Sequence, residues 1–221
     1  MKKSNESFWS DHFSVLRDKQ TYMNLAYLLL TFPLGIAYFV ISVTGLSLGV
    51  GLLIIWIGLF VLAALFASLW GMAAFERQLA IHLLGEEIAP MSPPEMPEGG
   101  LWERVKAHFS NPVTWKSGLY LLLKFPVGIA TFVVVVTALA ISGGLLFAPF
   151  SYQSADMTIF FWHIDTFFEA VFATGLGVIV TPIAFRFLNQ VARLSGHFAK
   201  YMLGNAEYPE EKSPEDILKV A

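Results

Sequence analysis

Between Gln20 and Phe75 the chain carries no Asp, Glu, Lys or Arg, a run of 56 residues. A soluble helix keeps one polar face, and this run has none over its whole length. It is long enough for two membrane-crossing helices of about 20 residues each. Further apolar blocks follow, and the pattern predicts four spans, at about 22–44, 52–70, 117–142 and 167–188. The glycine-rich stretch Gly45 to Gly51 is the expected turn between the first two. Lipid offers no partner to backbone N–H and C=O groups, so the spans are expected to be helices. The apolar–polar alternation of a membrane strand is absent. The predicted fold class is all-α integral membrane, with four transmembrane helices.

The pattern also repeats. Tyr27 to Thr44 (YLLLTFPLGIAYFVISVT) and Tyr120 to Thr137 (YLLLKFPVGIATFVVVVT) agree at 13 of 18 positions, at an offset of 93. At the same offset Trp9 matches Trp102 and Thr21 matches Thr114. Each copy opens with a short amphipathic segment: Phe8, Trp9, Phe13 and Leu16 in one, Leu101, Trp102, Val105 and Phe109 in the other. Such segments suit cytoplasmic interfacial helices. Each copy closes alike too, with FERQLAIHLLG at Phe75–Gly85 and LSGHFAKYMLG at Leu194–Gly204, both read as helices ending at a C-cap glycine. The expected organisation is repeat unit 1 over 1–88, a Pro-rich cytoplasmic linker over 89–100, repeat unit 2 over 101–204 and a polar tail over 205–221. Two spans per copy imply two helix pairs in parallel repeat, both starting on the same side.

Charge sets the expected orientation. Lys and Arg cluster before span one (Lys2, Lys3, Arg17, Lys19), between spans two and three (Arg77, Arg104, Lys106, Lys116) and after span four (Arg193, Lys200, Lys212, Lys219). The other connections have none. The positive-inside rule then puts both termini in the cytoplasm of a multi-pass cell-membrane protein. Apolar residues are 56% of the chain and charged residues only 14%, below the roughly 25% of soluble domains. There are no cysteines, which excludes disulfides and thiolate metal sites. The polar, mixed first 22 residues argue against a cleavable signal peptide.

Candidate chemistry is sparse. No phosphate loop, nucleophile elbow or zinc-protease motif is present, so no enzyme, catalytic residue or cofactor is expected. The second copy carries an outer insert, Gly143 to Asp165, absent from the first. It is aromatic (Phe150, Tyr152, Trp162) and holds Asp156, His163 and Asp165; with Glu169 these form a candidate sensing loop. His163, Asp165 and Glu169 could ligate a divalent cation, but an interfacial aromatic belt with Asp165 capping span four is the preferred reading, and no metal is assigned. Lys124 is the intramembrane charge; its repeat partner is Thr31. It is read as snorkelling to the inner interface, with a bundle-facing role beside Asn24 as the alternative. Pro33 with Gly35 and Pro126 with Gly128 occupy equivalent places, as a static kink or as a hinge.

YLLLTFPLGIAYFV, the turn VTGLSLGVGLLIIWIG, FERQLAIHLLG and the aromatic loop before TGLGVIVTP together resemble a family of sensor domains. That family is found at the N-terminus of membrane histidine kinases and in stand-alone prokaryotic proteins. The likeness covers about residues 8–204 and is structural in kind. It implies a four-span signal-input module of two-component type with no catalytic residues. The 17 residues after Gly204 leave no room for a kinase, so the signal is expected to pass to a separate protein. The expected partners are the lipid bilayer and a cytoplasmic signalling protein. No nucleic acid is expected, and a homo-oligomer is compatible with the pattern. A small transporter or exporter subunit, or a structural membrane scaffold, is the alternative function.

Overall fold

The computed structural model describes residues 14–90, 112–151, 158–159, 162–163 and 166–204. Four long helices make up most of it. Helix α1 runs Lys19–Gly51, α2 Ile57–Leu79, α3 Pro112–Ser151 and α4 Phe167–Leu203. All four are long and apolar enough to cross a membrane. The fold is all-helical apart from a two-residue antiparallel pair, β1 (Thr158–Ile159) with β2 (Trp162–His163), in register Thr158 to His163 and Ile159 to Trp162.

The helices are longer than the apolar blocks. Asp18 caps α1 by accepting from the Gln20 N–H at 3.0 Å, so the helix starts before the apolar residues begin. Its far end also overshoots. Gly45–Gly51, expected as the turn, is helical, and the chain reverses over a 3-10 turn at Leu52–Ile55 and Trp56. Trp56 takes φ 62°, a left-handed conformation rare for an aromatic residue. The glycines serve packing instead. A Cβ at Gly45 would lie 2.6 Å from Leu65 Cδ1, and one at Gly49 would strike the Leu62 side chain. Gly45 and Gly49, four apart, form the small-residue face that lets α2 lie close against α1.

The other ends follow the same logic. Helix α3 continues through 143–151, so the first part of the expected outer loop is helix. Helix α2 passes into a π-helical turn at Ala80–Leu84 and stops at Gly85, whose φ of 69° makes it a left-handed cap. FERQLAIHLLG and LSGHFAKYMLG are thus not separate helices but the last turns of α2 and α4. The amphipathic segments at 8–16 and 101–109 lie largely or wholly outside the described residues.

Two compact units result, and they do not follow the tandem repeats. The first combines the chain up to Ile36 with Lys124–Ser195; the second combines Ala37–Leu123 with the chain from Gly196. Each takes one half of α1 and the other half of α3. In the first unit α1 and α3 cross at their glycines. A Cβ at Gly35 would lie 2.7 Å from the Lys124 carbonyl oxygen, and one at Gly128 would lie 2.8 Å from the Thr31 carbonyl oxygen. The two contacts are the same contact under the offset of 93. Phe32 stacks on Phe132 beside the crossing, ring centroids 4.6 Å apart. Leu145, Ala148, Ala170 and Ala173 form a small-residue core between α3 and α4.

Burial follows the repeat. Tyr27 and Tyr120, Leu28 and Leu121, Thr31 and Lys124, Gly35 and Gly128 are all buried, while Pro33 and Pro126 are exposed. Aromatic contacts repeat as well. Tyr22 meets Phe185 at 6.3 Å in the first unit, and Trp115 meets Phe66 at 6.4 Å in the second. Those residues correspond at offsets of 93 and, for α2 and α4, 119.

The buried positions include Thr21, Asn24, Thr31, Lys124, Thr131 and Thr181, whereas Ile54, Trp56, Phe150 and Phe168 are 79–89% exposed. Water would penalise such an apolar surface at about 25 cal/mol per Å². Hydrocarbon carries no such penalty, and it favours hydroxyls that bond inside the protein. Thr31, Thr131 and Thr181 each donate to the carbonyl four residues back, at 2.7–2.9 Å.

Gly35→Val should overfill the crossing and cost about 1–3 kcal/mol. Gly71, where an added Cβ meets nothing within 4 Å, should accept Ala at no cost. Thermal unfolding in detergent micelles checks this; equal midpoints for the two variants would refute the close crossing.

Candidate functional site

The most distinctive chemistry of the first unit lies at the helix crossing. Lys124 is 3% exposed, and its Nζ donates to the Tyr27 hydroxyl at 2.9 Å. The same ammonium stands 4.6 Å from the centroid of the Tyr27 ring. One tyrosine therefore supplies both an acceptor oxygen and a π face. The snorkelling reading of Lys124 does not hold, because the ammonium is drawn to Tyr27 inside the unit. A buried ammonium is costly unless it is bonded, and Tyr27 is fully buried with it. Arg186, by contrast, is exposed on α4.

The crossing explains the geometry. The Lys124 carbonyl lies against Gly35, so the backbones of α1 and α3 approach with no side chain between them. That approach brings Tyr27, two turns before Gly35, within reach of a lysine side chain on α3. In the repeat, Thr31 stands where α3 has Lys124. Thr31 is too short to act likewise and bonds back to the Tyr27 carbonyl at 2.9 Å. The charge thus belongs to one copy alone.

A second polar group lies between α1 and α4. Gln20 Nε2 donates to Asn24 Oδ1, Asn24 Nδ2 to Asn189 Oδ1, and Asn189 Nδ2 to Thr21 Oγ1, each at 2.9 Å. Four side chains from two helices are thereby joined in one chain of hydrogen bonds. Asn24 pairs with Asn189 across the two helices. The sequence signal for Asn189 was faint, because a single amide near the end of an apolar span looks like an interfacial residue.

The expected hinge residues divide by role. Gly35 and Gly128 are buried at the crossing, and Pro33 and Pro126 face outward. The prolines remove one helical hydrogen bond each without entering the contact.

The candidate sensing loop is only partly described. Phe150 is 83% exposed on the last turn of α3, with its ring 6.4 Å from that of Phe147. Trp162 and His163 lie on β2. Tyr152, Asp156 and Asp165 lie outside the described residues. Glu169 accepts from the Thr166 N–H at 3.0 Å, and the Glu169 N–H meets Thr166 Oγ1 at 3.3 Å. This is a capping box, so Thr166 caps α4 where Asp165 was expected to. Among the described residues, no three His, Asp or Glu side chains gather as a metal site would require.

In the second unit the segment after Gly85 folds back along the end of α4. Arg77 donates from Nε to the Ala89 carbonyl at 2.9 Å and from its guanidinium to the Ile88 carbonyl. Glu86 packs on Gly196, and Ile88 lies beside Gly204. Glu76 is fully buried in the same unit.

Long apolar helices with polar side chains turned inward are the signature of a multi-pass helical membrane protein. A family model described as "Putative sensor" matches residues 27–203, well over half of the chain, and the chain belongs to this family. No curated protein and no solved structure matches it.

Two outcomes test the site. Tyr27→Phe removes an acceptor from a buried charge and should cost about 1.5–3 kcal/mol, while Tyr27→Phe with Lys124→Met should recover much of that loss. Unfolding in mixed micelles followed by near-ultraviolet circular dichroism reads both, and a double variant weaker than the single one would contradict the pairing. A double-mutant cycle of Asn24→Leu and Asn189→Leu should give a coupling of about 0.6–1.7 kcal/mol; zero coupling would dissolve the proposed bond.

Proposed function

We propose that this chain is the signal-input element of a membrane signalling system. It has both termini in the cytoplasm and passes an outer or intramembrane stimulus to a separate cytoplasmic protein. The observation that carries this reading is the asymmetry at the crossing. Two repeated helices meet through equivalent glycines, yet only α3 brings a charge to the meeting point, and that charge is bonded to α1. A stimulus that alters the crossing must either keep or break the Lys124–Tyr27 pair, which gives it two distinct states to choose between. Pro33 and Pro126 supply the local freedom for such a change.

The same helices offer a route for output. Helix α4 carries Asn189 in the first unit and ends in the second beside Glu86 and Ile88. Its last turns, with those of α2, are the surface a cytoplasmic partner reads. The Lys and Arg distribution supports placing this end inside the cell. Nothing in the reading requires catalysis.

The buried Asn24 and Lys124 also favour a second reading, a small transporter. Solute flux into proteoliposomes that disappears with Lys124→Ala would establish it.

The deciding experiment places photoreactive side chains at the exposed positions His82, Arg193 and Tyr201 in native membranes. A kinase or transcription regulator is expected among the crosslinked proteins. Lys124→Thr, the residue of the other copy, should change that partner's output about 5-fold or more while leaving the crosslink in place. Crosslinks to transporter or ATPase subunits alone would overturn the sensor reading.

A further inference from the structure

The second unit holds an apolar cavity of about 510 Å³, within the size range of small-molecule sites. Its walls come from α1 around Ser42 and Leu46, α2 around Leu62 and Phe66, and α3 around Trp115 and Gly118. No lining residue is charged, so an ionic guest would lose its hydration with no counter-charge in return. Leu46 and Leu119 are 51–52% exposed at its edge, so the cavity opens sideways onto the apolar surface.

Two details separate this cavity from a packing gap. One is Ser42. It is 7% exposed, lines the cavity, and its hydroxyl makes no hydrogen bond, unlike the buried threonines that bond to their own helix. An unbonded buried hydroxyl is destabilising, and a guest offering one polar atom would relieve this once Ser42 turns toward it. The other is the repeat. The frame is shared between the copies: Trp115 against Phe66 here, Tyr22 against Phe185 there. Inside that frame, the first copy has Leu25 where the second has Gly118, and the second copy has Val135 where the first has Ser42. A Cβ added at Gly118 would meet nothing within 4 Å. Where the first copy has a leucine side chain this wall has none, and the unbonded Ser42 hydroxyl has an apolar counterpart, Val135.

We propose that this cavity binds an uncharged hydrocarbon-chain molecule bearing one hydroxyl or carbonyl, which enters laterally from the bilayer. Its occupancy stands independently of the sensor reading; its role as a stimulus rests on that reading.

The test uses the full chain in phosphatidylcholine vesicles and a diazirine-bearing hexadecanol as probe. After irradiation, labelled peptides are mapped by mass spectrometry. Labelling is expected to concentrate on residues 42–50, 62–69 and 115–122, and to fall on addition of plain hexadecanol. Gly118→Leu should reduce it about 10-fold or more, as a filled cavity excludes the chain, while labelling at the exposed Phe172 of α4 stays unchanged. Ser42→Ala should reduce it about 2- to 10-fold, the worth of one hydrogen bond. Even labelling over the exposed apolar residues of all four helices would overturn the site, as would labelling indifferent to Gly118→Leu in a variant of unaltered melting temperature. Equal labelling by diazirine-bearing hexadecanoate at pH 8 would overturn the assignment to uncharged molecules.

Discussion

The crossing of α1 and α3 is the constraint on which the first unit depends. Helices in lipid gain little from burying apolar side chains against one another, because the hydrocarbon outside is equally apolar. What holds them is close van der Waals contact and hydrogen bonds made inside the protein. Gly35 and Gly128 provide the first by letting each backbone touch the other at a carbonyl. That contact fixes the register in which Lys124 reaches Tyr27 and Phe32 stacks on Phe132. A β-carbon at either glycine would push the axes apart and lengthen the Lys124–Tyr27 bond beyond use.

Duplication makes departures from symmetry informative. Thirteen of eighteen positions in the repeated core agree, and the buried positions agree in burial even where the residue differs. Thr31 and Lys124 are both buried, yet one is satisfied within its own helix and the other needs a tyrosine across the crossing. Leu25 and Gly118 correspond in the repeat, and at Gly118 an added Cβ would meet nothing within 4 Å. A buried ammonium and an unfilled cavity both lower stability, by the loss of hydration in one case and of dispersion contacts in the other. Residues that cost stability in only one of two copies are the natural places to look for function.

Much of the fold was legible because lipid imposes a simple rule. The charge-free run from Gln20 to Phe75 and the later apolar blocks had to be helices, and four long helices are there. Helix ends were less legible. Gly45–Gly51 looked like a turn because glycine is common in turns, but glycine is equally at home on a close helix–helix face, and composition alone does not separate the two. The cap of α4 was misplaced by one residue because Asp165 and Thr166 are both good N-caps; the spacing Thr166–Glu169, a capping-box signature, was the discriminating signal. Lys124 departs from the snorkelling expected of it for a physical reason. Its distance from the span's end allows snorkelling, and only the position of Tyr27 across the crossing makes the inward choice better. Such a contact, 97 residues apart in sequence, has no local signature.

Membership of the sensor family and the geometry of the chain meet in the path of the helices. Helix α1 belongs to the first unit up to Ile36 and to the second from Ala37, two residues past the close approach at Gly35. Helix α4 passes from the first unit to the second between Ser195 and Gly196, and Gly196 is where Glu86 packs. The second unit in turn holds the end of α2, the folded-back segment tied by Arg77, and the cavity beside Ser42. Helices α1 and α4 each contribute residues to both units, so each unit is built partly from the other's helix.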